Sequence, residues 1–220
     1  MGGFAQSIRT DARFVFPLPD GLDAAAAAPL LCAGATVFAP LRRWGVGSAS
    51  RVGVIGLGGL GHLALRFSKA MGCTVTAFTS SPDKRDEALR LGATDAASSV
   101  TPREIRAHSD RFDFLLCTVP ARLDWIAYVQ ALRPNGVLCL VGAPPGLLQL
   151  PAAPLLTGQR VVCGSDIASP AVVREMLRFA AEHRVEAQVE LAPMSEANAG
   201  LQRVRENRVR YRMVLTNAAG

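Results

Sequence analysis

Arg51-Val-Gly-Val-Ile-Gly-Leu-Gly-Gly-Leu-Gly-His62 decides how the rest of the chain is read. A short, largely β-branched run, Val52 to Ile55, is followed at once by Gly56-x-Gly58-x-x-Gly61. Beyond the glycines the apolar period becomes helical, with Leu60, Leu63, Ala64, Phe67 and Met71 on one face. Strand, glycine turn and helix in that order form the setting in which this pattern marks a dinucleotide site rather than a chance turn. Gly56 permits the tight turn, Gly58 lets backbone approach a pyrophosphate, and Gly61 lets the helix pack close on the strand. The amides from Gly58 through Gly59, Leu60 and Gly61, with the positive end of the helix dipole, then face the phosphates.

Outward from that stretch, strand and helix patterns alternate in the rhythm of a doubly wound parallel sheet. Thr74–Phe78 reads as a second strand and Pro82–Leu91 as a helix with proline in its first turn and Gly92 behind it. A weak strand near Ala96 and a short helix from Pro102 to His108 follow. Phe112–Thr118 is a buried strand, Ala121–Leu132 a helix, and Val137–Val141 a strand after the Asn135-Gly136 turn. Pro144–Pro154 reads as an irregular connection before a last short strand, Val161–Gly164. Ser169-Pro-Ala opens a long amphipathic helix to about His183, and the tail reads strand 185–191, helix 195–204, strand 209–215. Before the glycines, Ala24 to Leu41 forms two helical pieces joined near Pro29, while 3–9 and 13–17 look like two strands without a sheet of their own.

The 220 residues are 50% apolar and 19% charged, enough for a sizeable core and outside the range of disordered or collagenous chains. The net charge is +6, and Arg203, Arg205, Arg208, Arg210 and Arg212 cluster near the C-terminus. Sparse aromatics and interleaved acids such as Glu206 argue against a nucleic-acid surface there. Cysteines 32, 73, 117, 139 and 163 show no C-x-x-C spacing, which excludes a local zinc knuckle; their odd number points to reduced thiols in a cytoplasmic protein. The apolar run from Ala24 to Ala39 is too short and interrupted to span a bilayer.

Cys32-Ala-Gly-Ala-Thr-Val37, Gly56 to His62, Leu140-Val-Gly-Ala143 and Arg210-Tyr-Arg-Met-Val214 occur in order. In combination they resemble the zinc-type medium-chain alcohol dehydrogenases, in particular the cinnamyl-alcohol-dehydrogenase-like aldehyde reductases. The resemblance covers essentially the whole chain and implies an NADP(H)-binding Rossmann domain at 24–168. It also implies remnants of a second, mostly β catalytic domain at 1–23 and 169–220, most of that domain lying ahead of the first residue in a full member.

The same resemblance carries the site residues. Cys32 matches a ligand of the catalytic zinc, and Thr36 lies beside the nicotinamide. Ser80 stands where NAD-using relatives carry an acid at the end of the second strand. Ser80, Ser81 and Lys84 match positions that contact the 2′-phosphate of NADP(H); the other reading of these residues is a Ser-Pro helix cap with a solvated Lys-Arg pair. Val141, Gly142 and Ala143, with Ser165 and Ile167, match the segments flanking the nicotinamide amide, although Asp166 and Ala168 depart from the family pattern. Arg212 matches an arginine that reaches the pyrophosphate. One thiolate does not hold a catalytic zinc, which takes three protein ligands; His62 reads as a packing residue at a helix start and His183 as a surface residue. The activity implied is hydride transfer between NADP(H) and a primary alcohol or aldehyde, in a homodimer joined through the sheet edge at Val161–Gly164. Two alternatives stand beside it: an inactive NADP(H)-binding module, and a zinc-independent quinone-reductase-like enzyme.

Overall fold

The computed structural model describes residues 3–5 and 7–217. Asp23 accepts the amide of Ala26 and so caps α1 (Ala24–Ala27), which runs through a 3-10 turn at Ala28–Leu31 into α2 (Ala33–Arg43). Pro29 lies in the 3-10 turn and has no amide to continue the α ladder, and the stretch Ala24–Leu31 meets α2 at a 58° bend across Cys32. The core then alternates: β1 (Arg51–Ile55), α3 (Gly61–Ala70), β2 (Thr74–Thr79), α4 (Arg85–Arg90), β3 (Asp95–Ser98), α5 (Pro102–Arg106) and β4 (Phe112–Cys117). It continues through α6 (Trp125–Ala131), β5 (Leu132–Leu140), α7 (Ala152–Gly158), β6 (Val161–Gly164) and α8 (Pro170–His183). A small lobe of β7 (Val189–Pro193), α9 (Ala197–Arg205) and β8 (Arg212–Thr216) completes the described chain.

All five pairings in the six-stranded sheet are parallel, in the order β3-β2-β1-β4-β5-β6. That order reverses direction between β1 and β4, which leaves a crevice beyond their carboxyl ends. Both faces are covered, so the central strands are almost continuously apolar. One face buries Val52, Val54, Val75 and Phe114 under α2, α3 and α8. The other buries Ile55, Phe78, Leu115 and Leu138 under α5 and α6. Gly53 sits beneath Leu115 and Phe78, where a Cβ would overlap the leucine side chain, so the strand needs glycine for the aromatic layer to close.

Several elements differ from the sequence expectation. Ala121–Leu132 is helical only from Trp125, because the Asp124 side chain accepts the Ala127 amide and fixes the first turn there. The supposed irregular connection, Pro144–Pro154, ends inside the start of α7; Pro154 falls in its first turn, where no intrahelical amide is lost. No strand forms at 3–5 or 7–17: the segment holds a 3-10 turn at Ala12–Phe14, and Gln6 lies outside the described residues. The two strands of the second sheet, β7 and β8, pair in parallel with each other, and the described residues of that segment join neither. Phe16 instead packs on the core with Arg174 over its ring at 5.3 Å.

Candidate coenzyme site

The glycine turn lies where β1 ends, beside the reversal of strand order. The Gly56 amide donates to Phe78 O at 2.8 Å, and Gly56 takes φ +99°, a left-handed value that favours glycine. The Thr118 hydroxyl, at the end of β4, donates to Ile55 O at 3.0 Å and pins the turn from the other side. A Cβ on Gly61 would overlap Gly56 O, so this glycine sets the closeness of α3 to β1. A Cβ on Gly58 would meet nothing within 4 Å; the space above it is open. No side chain caps the start of α3 at Leu60, so the dipole end of a ten-residue helix faces that opening.

The C-terminal lobe closes over the turn. Arg212 Nε donates to Gly59 O at 3.1 Å, and a Cβ on Gly59 would lie 2.6 Å from the guanidinium carbon. A cavity of about 370 Å³ lies between the glycine turn, Thr118, Val204 and Arg212. Arg212 also lines a second cavity of about 300 Å³ with Cys32, Pro29 and Val214. Arg212 therefore lines both the cavity over the glycine turn and the one beside Cys32.

At the end of β2, Ser80 is exposed and Ser81 half-buried. The Ser81 side chain caps no amide, so the Ser-Pro cap is not formed; its own amide donates to Thr79 Oγ1 at 3.2 Å. Lys84 and Arg85 are not a solvated pair either. Lys84 Nζ donates to Leu57 O at 3.1 Å and lies 5.8 Å from the Tyr211 ring centroid. Burial lowers the Lys84 pKa, Arg210 adds to the drop, and Glu87 opposes it. Arg85 pairs with Glu104 at 2.8 Å while its Nε is buried without a partner.

Further along the strand ends, the Val141 and Gly142 amides both donate to Cys117 O at 3.0 Å. A Cβ on Gly142 would lie 2.7 Å from Val119 O, so β5 and the loop after β4 meet through glycine. Ala143 is exposed, the Ser165 amide donates to Leu140 O at 2.9 Å, and Ile167 is 61% exposed. Thr36 is half-buried one turn into α2, its amide donating to Cys32 O at 2.9 Å. Cys32 is exposed at the break before that helix.

His62 and Tyr211, which have little part in the sequence pattern, hold the lobe to the turn. His62 is fully buried; Nδ1–H donates to Gly58 O at 3.1 Å and Nε2 accepts the Gln188 amide at 3.3 Å. Those two partners fix the neutral ring in one tautomer. Its pKa falls to about 4, chiefly through burial, with Arg212 and Arg66 adding and the Gly58 hydrogen bond opposing. Tyr211 stacks on His62 with centroids 4.8 Å apart. The Arg210-Tyr-Arg element was the signal available for Tyr211; nothing local in the sequence pairs it with His62.

A glycine turn under a helix dipole, at the strand-order reversal of a 3-2-1-4-5-6 sheet, defines a dinucleotide-binding α/β protein. Residues 59–182 match the family model described as zinc-binding dehydrogenase, and the chain belongs to that family. It is 41% identical over 217 residues to an aldehyde reductase of Synechocystis, covering 99% of this chain and 65% of the relative. It is 41% identical over 218 residues to an NADP-dependent alcohol dehydrogenase C of Mycolicibacterium smegmatis, covering 99% and 62% respectively. Among solved structures, a cinnamyl alcohol dehydrogenase from Sorghum bicolor superposes with a TM-score of 0.85 at 42% identity, over 90% of this chain and 57% of that one. A Helicobacter pylori relative complexed with NADP(H) gives 0.76 at 30% identity, over 86% and 54%. The chain thus spans under two thirds of the length of these relatives.

Proposed function

We propose that this chain forms the NADP(H)-binding part of a cytoplasmic, zinc-type alcohol dehydrogenase or aldehyde reductase. In that reading Gly56 and Gly61 shape the turn, and Gly58, Gly59, Leu60 and Arg212 hold the pyrophosphate. Ser80, Ser81 and Lys84 receive the 2′-phosphate. Thr36, Val141, Gly142, Ala143, Ser165 and Ile167 border the nicotinamide. The coenzyme supplies the hydride that is exchanged with a primary alcohol or aldehyde; the protein's part is to orient it and to exclude water. Residues 1–23 and 169–220 are assigned to a second domain, and residues 24–168 to the coenzyme domain. Homodimerisation through the outer edge of β6 is supported by its place at the end of the sheet and by exposed Leu147 and Leu156 nearby in the chain.

The observation that carries the coenzyme choice is the Lys84 ammonium anchored on Leu57 O, next to two serines and with no acid at Ser80. A 2′-phosphate gains charge-assisted hydrogen bonds there, each contributing about 1.5–3 kcal/mol. Titration with NADPH and NADH tests it. NADPH binds more tightly, and Lys84→Ala weakens NADPH roughly tenfold or more while NADH barely changes. Equal curves for the two coenzymes in the unmutated protein would sink the assignment.

Zinc does not fit this chain's own donors. Among the described residues no three His, Cys, Asp or Glu side chains come together as a metal-binding group, and Cys32 supplies one thiolate. That same observation favours a second reading for the chain by itself: a module that binds NADP(H) without turning over.

A further inference from the structure

Three helices end at one corner of the molecule. α3, which begins at the glycine turn, brings Arg66 and Lys69 there; α4 brings Arg90; the end of α8 brings His183 and Arg184. They surround a cavity of about 320 Å³ floored by Ala70, Leu91 and Val185. Among the described residues, none of these four Arg and Lys side chains forms an ion pair, whereas Arg85, Arg160 and Arg203 do.

Of these cations Arg66 is half-buried and anchored, while Lys69, Arg90 and Arg184 are exposed around the opening. Arg66 Nη1 donates to Glu186 O at 3.0 Å, which fixes the guanidinium against the segment after α8. The Lys69 stem crosses Gly92, where a Cβ would lie 2.5 Å from Lys69 Cδ; glycine at φ +114° leaves the room for it. Arg184 adopts φ 54° at the position following a helix, where glycine fits best, and the chain carries an arginine there.

Cations at helix C-termini complement the dipole, and this explains each residue singly. It does not balance the group. A helix end carries about half a negative charge, and two carbonyls of the α8 end already accept the Arg184 and Val185 amides. Four full positive charges outweigh three such ends. An apolar floor strengthens the field that remains, because it lowers the local dielectric.

We propose that this corner binds a compact oligophosphate, with pyrophosphate as the smallest member, at a site separate from the coenzyme. The lining offers donors but no carboxylate acceptor, so it selects an anion that accepts from several directions. Cations from three separate elements suit a chain of phosphates better than one. His183 is the only ring on the wall, so nothing builds a slot for a nucleobase.

Calorimetry with pyrophosphate at low ionic strength, run with and without saturating NADPH, tests the site. Binding is expected in both states, tighter than for inorganic phosphate and weakened by added salt. The double variant Lys69→Gln/Arg184→Gly loses at least tenfold in pyrophosphate affinity and keeps its NADPH affinity. Its melting temperature is not lowered by the Arg184→Gly change, since glycine fits the left-handed backbone. Displacement of pyrophosphate by NADPH overturns the proposal by placing the anion at the glycine turn. An unchanged affinity in the double variant, or binding to anionic vesicles or RNA without binding to pyrophosphate, overturns it as well.

Discussion

Gly58 and Gly61 lie three residues apart, yet their surroundings assign them opposite costs. A side chain on Gly58 enters open space, so Gly58→Val leaves the fold intact and fills the region where a pyrophosphate approaches. Cofactor binding is lost and the melting temperature is kept. A side chain on Gly61 overlaps the Gly56 carbonyl. Gly61→Ala therefore destabilises the protein by about 1–3 kcal/mol, as overpacking does, and coenzyme affinity falls only as α3 shifts. Chemical denaturation beside an NADPH titration separates the two; equal stability losses would mean that the space over Gly58 is not free. The spacing of these glycines is legible in the sequence because the reason for each is local. The roles of Lys84 and Arg85 are not, because Leu57 and Glu104 reach them from other elements.

The clamp between α3 and the C-terminal lobe belongs to the scale of elements. Buried His62 holds Gly58 O with one nitrogen and the Gln188 amide with the other. Arg66 on its own helix, Arg212 on β8 and the Tyr211 ring are the charged and titratable groups that bear on it. Protonation would turn Nε2 into a donor facing another donor. With a folded pKa of about 4, below the usual 6.5, the unfolded chain takes up a proton that the folded chain refuses. Stability from this group is complete above pH 6.5 and is lost as pH falls towards 4, by about 2 kcal/mol between pH 7 and 5. Urea melts at the two pH values show this loss in the unmutated protein and a smaller one in His62→Gln; equal losses would assign the sensitivity elsewhere. The elements near the glycines were legible because the short apolar strand, the glycine turn and the helical period of α3 follow one another directly. The short helix α7 was hidden by Pro151 and Pro154, residues that read as breakers but lie at and just inside its start. The segment before residue 18 has strand-like residues, and strand formation depends on a neighbouring edge that a sequence pattern does not show.

On the scale of the whole molecule, coenzyme binding and metal catalysis separate. The expected outcome for the purified chain is NADPH binding with little or no dehydrogenase activity and less than one zinc per chain. Catalytic zinc takes three protein ligands and an open position, and Cys32 is the one residue matched to such a role. The other thiols are elsewhere: Cys73 follows α3, Cys117 and Cys139 are buried in β4 and β5, and Cys163 is half-buried in β6. Burial pushes the thiols of Cys73, Cys117 and Cys139 above the usual range, which disfavours the thiolate that a metal needs. His62 has both nitrogens engaged, and His108 shares its Nδ1 with Arg111 at 3.0 Å. Among the described residues no three His, Cys, Asp or Glu side chains gather to hold the metal that would stabilise a developing alkoxide, and loss of such stabilisation costs orders of magnitude in rate. Elemental analysis beside NADPH oxidation with aromatic and aliphatic aldehydes decides the matter. Stoichiometric zinc, with turnover that disappears in Cys32→Ala, would show that donors from this chain assemble around Cys32 and that the nucleotide domain is catalytic by itself.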